Sequence, residues 1–155
     1  MISLVGAIKC QFKAPPELHD LVQVSTTSTL TDQESRCLGY ALVLLMDAVK
    51  RDGLRIDVIR PSIMFVDSDC ISITSLSPCT MGLSIPLIVL PLHRWRAGPR
   101  SDEFLIVVIL EELCHCVYQI HDESEVKGKV TDIYRQIDPS ATRARLFQFF
   151  EDPQC

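Results

Sequence analysis

Glu111, Glu112 and His115 fall within five consecutive residues of the stretch Phe104 to Glu125, FLIVVILEELCHCVYQIHDESE. All three residue types ligate metal ions and move protons. A helix advances about 100° per residue, so Glu111 and His115, four apart, share a face one turn from each other, and Glu112 sits beside them. Two side chains so placed can hold a metal ion while the intervening carboxylate activates water. A plainer reading is an i,i+4 hydrogen-bonded Glu–His pair, which contributes a few tenths of a kcal/mol on an exposed face. Downstream, Asp122, Glu125 and His121 are available as a third ligand. Asp122 and Glu125 also have the D-x-x-E spacing of a helix-capping box, which alone would account for both.

These residues need elements to position them. Seven apolar residues in a row, Phe104 to Leu110, precede Glu111. A helix apolar on nearly every side is a central, buried one, where carboxylates and a His are costly unless paired. Ser101, with Asp102 and Glu103 behind it, supplies an N-cap, and the expected helix spans 102–120. Asp122 opens a further helix over 123–137, closed by Asp138-Pro139. A last amphipathic segment, 140–150, carries Leu146, Phe147, Phe149 and Phe150.

Earlier in the chain, Thr31 and Glu34 have capping-box spacing. Leu38, Ala41, Leu42, Leu45 and Val49 recur at helical spacing, and Gly53 follows as a stop, giving a helix over 32–51. Residues 1–9 suit a short strand or packed arm, and Ser25 to Thr29 reads as a loop. Leu54 to Ile59 alternates as a strand, Ser62 to Val66 is a short apolar run, and Cys70 to Thr74 alternates again, which predicts a hairpin around Ser68. Ser84 to Leu90 is a further strand, and Pro86 and Pro91 place it at a sheet edge. His93 to Arg100 reads as a loop. The expected fold is α+β: an N-terminal helix, a three- to four-stranded mixed or antiparallel sheet, a central site-bearing helix and C-terminal helices, in one domain over 1–155.

On the segment Glu111-Glu112-Leu113-Cys114-His115, the chain resembles the zincin-like metallopeptidases, whose H-E-x-x-H motif appears here as E-E-x-x-H. The order of elements is also similar to a small zincin, with an edge strand before the site helix and a helix after it. The resemblance implies a metal held by Glu111, His115 and a third ligand, with Glu112 as the catalytic base. In gluzincins the third ligand is a Glu on the following helix, which ranks Glu125 first, Asp122 second and His121 third. His121 has metzincin spacing from His115 but lacks the Gly that turns that motif. The implied cofactor is Zn²⁺. A Glu–His–Glu set is harder and richer in oxygen, which moves preference toward Mn²⁺ or Fe²⁺ or weakens binding altogether.

Composition bounds the rest. The chain has 155 residues, 47% hydrophobic and 23% charged, with a net charge of −5. No clustered basic face points to nucleic acid, and no apolar run approaches a membrane span. With seven cysteines, no secretory leader pattern and no C-x-x-C pair, the expectation is free thiols in the cytoplasm. Cys114 and Cys116 flank His115 but face different sides of a helix, so they read as small apolar residues rather than a redox pair. The functional expectation is a small metal-dependent peptidase or hydrolase acting on a peptide or protein, its substrate lying along the Ser84–Leu90 edge. The alternative is a catalytically inactive zincin-like domain that binds another protein.

Overall fold

A computed structural model of the chain describes residues 2–4, 8–10, 12, 16–18, 22–55, 61–68, 73–75 and 87–148. The elements are β1 (Ile2–Leu4), β2 (Ile8–Lys9), a 3-10 turn (Pro16–Leu18), β3 (Gln23–Thr26), α1 (Asp32–Arg51), β4 (Ser62–Val66), β5 (Ile73–Ser75), β6 (Leu87–Pro91), α2 (Leu92–Trp95), α3 (Asp102–Val117), α4 (Glu123–Tyr134) and α5 (Arg143–Phe147).

The fold is α+β, but the centre of its sheet is parallel. Strand order is β2-β3-β4-β6. β3, β4 and β6 run parallel, with Ser62 opposite Gln23 on one side and Leu87 on the other. The two-residue β2 adds antiparallel at the far end. The hairpin expected around Ser68 is therefore not how β4 is paired. The segment Ile73–Ser75 pairs antiparallel with Ile2–Leu4 instead. The reason lies in β4 itself: four successive residues, Ile63 to Val66, are buried, so both faces are covered. A strand apolar on both faces suits the interior of a parallel sheet, and the 20-residue α1 is long enough for the crossover from β3. The second half of β3 falls within the loop expected over Ser25 to Thr29. Ser25 and Thr26 are buried there and enter the ladder with Met64 and Phe65. Among the described strands β6 ends the order, in keeping with the edge position expected of it. Residues 56–60, 69–72 and 84–86, which carry parts of the other expected strands, lie outside the described residues.

α1 has the expected bounds. Thr31 and Glu34 form a reciprocal capping box, and Gly53 adopts φ 68° just past the Asp52 C-cap, a left-handed turn that glycine takes without steric cost. Glu34 also receives both forks of Arg96, at 2.8 and 2.7 Å. Arg96 bonds Ser28 and the Thr29 carbonyl as well, which ties the start of α1 to the end of α2. α2 lies where a loop was expected, and Trp95 packs edge-on against Phe65 of β4, ring centroids 5.7 Å apart. Gln33 and Arg36 of α1 hold Asp102 in the first turn of α3.

α3 is the spine of the molecule. Ser101 caps it by accepting from the Phe104 N–H at 3.1 Å. Ten of its sixteen residues are buried, among them Ile109, Leu110, Leu113 and Cys114, so it has no broad solvated face. It packs against α1, α4, α5 and β6. Among the described residues no helix is long and apolar enough to cross a membrane.

Candidate functional site at the α3–α4 corner

The corner is set by how α3 ends. The helix stops at Val117 rather than 120. Tyr118 is the C-cap, its N–H donating to Cys114, and Gln119 then takes φ 55°. A left-handed non-glycine residue reverses the chain at some steric cost. The Gln119 side-chain amide donates to the Cys116 carbonyl. Asp122 caps α4 by accepting from the Glu125 N–H at 2.8 Å. Four residues therefore separate the cap of α3 from the first residue of α4.

Inside this corner, His115 Nδ1 lies 2.6 Å from the Ile120 carbonyl. A carbonyl only accepts, so this contact places a proton on Nδ1, and in the neutral ring it leaves the lone pair on Nε2. Nε2 faces Glu123 Oε1 at 3.6 Å. That separation is too long for a hydrogen bond. It is an ion pair when the imidazole is charged, and two electron-pair donors aimed at common ground when it is not.

Glu111 sits one turn before His115 and is 9% exposed. Burial pushes its carboxyl from 4.5 up to about 7, with Glu123 and Glu112 adding to the shift and Lys127 and His115 opposing it. Glu112 is the exposed member of the pair. Its carboxyl is also raised, by partial loss of solvation, with His115 opposing and Glu123 adding. The corner thus gathers Glu111, Glu112, His115 and Glu123, with Lys127 as the nearby cation.

Of the residues expected from the sequence, Glu111, Glu112 and His115 are brought together. Glu125 and His121 are exposed, and Asp122 is engaged as a cap. The residue that sequence reasoning passed over is Glu123. Its signal was present in the run Asp122-Glu123-Ser124-Glu125: with Asp122 as N-cap, Glu123 opens the helix and faces back toward α3, whereas Glu125 lies further round. Among the described residues, no group of three or more His, Cys, Asp or Glu is arranged to hold a metal ion. Glu111, His115 and Glu125 are accordingly not gathered as one such group. His115, with Nδ1 fixed by a carbonyl, presents Nε2 as metal-binding histidines do, and Glu123 faces it at 3.6 Å.

The thiols around the site are poorly placed for nucleophilic chemistry. Burial pushes Cys114 up to about 12 and raises Cys116 as well. Cys10, Cys37, Cys114 and Cys116 are not in disulfides.

No family model matches the chain, and no curated protein or solved structure is significantly similar to it.

Proposed function

We propose that the chain is a small zincin-like, metal-dependent hydrolase of peptide bonds in which His115 and Glu123 hold a divalent cation and Glu112 serves as the base. The observation that carries this reading is the orientation of His115, with Nδ1 on the Ile120 carbonyl and Nε2 3.6 Å from Glu123. One imidazole and one carboxylate would supply two of the three protein donors that a catalytic Zn²⁺ uses, and the carboxylate oxygen also admits Mn²⁺ or Fe²⁺. When bound, such an ion polarises a substrate carbonyl and acidifies water. Glu112, at the exposed side of α3 and with its carboxyl raised by partial loss of solvation, would accept a proton from water and return it to a leaving amine. An extended peptide would add itself to the β6 edge by main-chain pairing. The free cysteines agree with a cytoplasmic setting.

The test is metal content by mass spectrometry on tag-free protein, followed by calorimetric titration with Zn²⁺, Mn²⁺ and Fe²⁺ and hydrolysis of a peptide library. His115→Ala and Glu123→Gln lose the metal. Glu112→Gln keeps it and loses turnover, and Glu125→Gln changes neither. Wild-type protein that neither carries nor takes up metal overturns the proposal.

A second reading is favoured by Glu111. At the position of the first motif His stands a buried carboxyl whose affinity for a proton is high enough to keep it half neutral near pH 7. A domain of this kind that has lost catalysis and binds another protein would be folded, metal-free and inert toward every peptide in the library.

A further inference from the structure

We infer that Asp52, Tyr118 and Lys129 form a positioning staple for the α3–α4 corner, setting His115 against Glu123. The inference rests on the proposed role of that pair. Three elements meet at one carboxylate. Asp52, the C-cap of α1, accepts from the Tyr118 hydroxyl at 2.9 Å and from Lys129 Nζ at 2.6 Å on the same oxygen. Its other oxygen accepts from Arg51 Nε at 3.2 Å. The Lys129 ammonium also lies 4.2 Å from the centroid of the Tyr118 ring, within cation–π range. These donors hold the Asp52 carboxyl well below the usual carboxylate range, and desolvation with the Asp52 hydrogen bond holds the Tyr118 phenol up, in its donor form.

The staple's two arms reach the two halves of the site. Tyr118 caps α3 and is followed by Gln119 at φ 55° and by Ile120, whose carbonyl orients His115. Lys129 belongs to α4, the helix that Glu123 opens. Asp52 is itself fixed: its N–H donates to the Ala48 carbonyl, and the following Gly53 N–H donates to Lys50. Without it, the polar tie from α1 to the corner is lost, and only the packing of α1 on α3 and α4 remains to set the separation of Nε2 and Glu123. Partners that orient a metal-binding histidine commonly change affinity by 10–100-fold when removed. Asp52 touches no donor of the site, so its role is positioning, not catalysis.

The experiment uses the full chain and two readouts. One is the ¹⁵N chemical shifts of the His115 ring nitrogens, which report the tautomer. The other is calorimetric titration with Zn²⁺. Thermal melting of each variant checks the fold. Asp52→Ala is expected to mix the His115 tautomers and weaken Zn²⁺ binding about tenfold. Asp52→Asn, which keeps an acceptor for Tyr118, recovers part of both. Tyr118→Phe, which removes one hydroxyl and leaves the apolar ring, shifts both in the same direction and serves if Asp52→Ala fails to fold. Asp132→Asn, which breaks the exposed Asp132–Arg135 pair on the same helix, changes neither. Variants that melt earlier yet keep the wild-type tautomer and affinity overturn the staple. If wild-type protein takes no Zn²⁺, the cation reading falls, and the tautomer decides alone: a shift in Asp52→Ala supports the staple, and none overturns it.

Discussion

Replacing Glu111 by Gln should stabilise the metal-free protein, and by an amount that depends on pH. In the folded chain the Glu111 carboxyl binds its proton up to about pH 7, against 4.5 ordinarily. Below pH 4.5 both folded and unfolded chains are protonated at this site, and burial of the neutral acid costs no ionisation energy. Between 4.5 and 7 the unfolded chain releases the proton and the folded one keeps it, so stability falls as pH rises. Above 7 the folded chain carries a buried carboxylate and the loss is complete. At about 1.4 kcal/mol per pH unit across that interval, the loss is about 3 kcal/mol. Glutamine has nearly the same shape and nothing to ionise. Glu111→Gln should therefore match wild type near pH 4.5 and exceed it by about 3 kcal/mol at pH 8. For a domain of this size that corresponds to a rise in melting temperature of about 6–12 °C. Urea unfolding in chelator at half-unit steps from pH 4.5 to 8.5 measures the difference directly. A constant difference across that range would refute the argument. So would a variant less stable than wild type at pH 8, which would mean that the carboxylate has a partner stronger than Lys127.

Four further outcomes are expected. Gln119→Gly should raise stability by about 0.5–1 kcal/mol, since φ 55° costs glycine nothing; a drop in melting temperature would assign more weight to the amide bond onto Cys116. Asp122→Ala should cost about 1 kcal/mol and Asp122→Asn little, because Asn also caps. A cation ligand, by contrast, would be lost in both, so metal content separates the roles. Leu110→Ala, at a fully buried position of α3, should cost about 2–5 kcal/mol in urea unfolding. Cys114 should resist iodoacetamide in the folded protein at pH 8 and react once unfolded, as peptide mass spectrometry would show; rapid labelling of the folded chain would contradict a thiol pushed up to about 12.

Helix starts were legible because their signals are local and polar. Thr31 with Glu34, Ser101 and Asp122 each mark a first turn, and each side chain accepts the backbone donor expected of it. Gly53 marked a helix end for the same reason. The end of α3 had no such mark: Gln119 takes a left-handed conformation that its type does not announce, so spacing alone extends the helix three residues further. The sheet was legible less well. Ile63 to Val66 announces a strand but not its neighbours, and the pairing of Ser62 with Leu87 joins residues far apart in sequence. Gln23 to Thr26 was hidden by its Ser and Thr content, although the β-branched Val24 and Thr26 and the small Ser25 fit a buried ladder. At the site, Glu111, Glu112 and His115 follow from helical periodicity. Choosing Glu123 over Glu125 required knowing where α4 starts and how it crosses α3, a tertiary matter that a spacing rule cannot carry.

Glu111 and Glu112 are neighbours in sequence with opposed surroundings, and the difference separates stability from chemistry. About 100° of helical rotation puts Glu111 among the core side chains and Glu112 at the surface beside His115. Carboxyls whose environments differ in this way take different roles. A buried carboxyl that loses about 3 kcal/mol on ionising is a poor ligand near neutral pH, because a cation would first have to displace its proton. Glu112 is exposed, with its carboxyl raised and His115 opposing the shift. Substitution at 111 should thus move stability with pH and leave the metal affinity of His115 and Glu123 nearly unchanged, while substitution at 112 should do the reverse to turnover. If Glu111→Gln instead abolished metal binding, the ion would lie between α3's own side chains, and the corner with Glu123 would be only its neighbour.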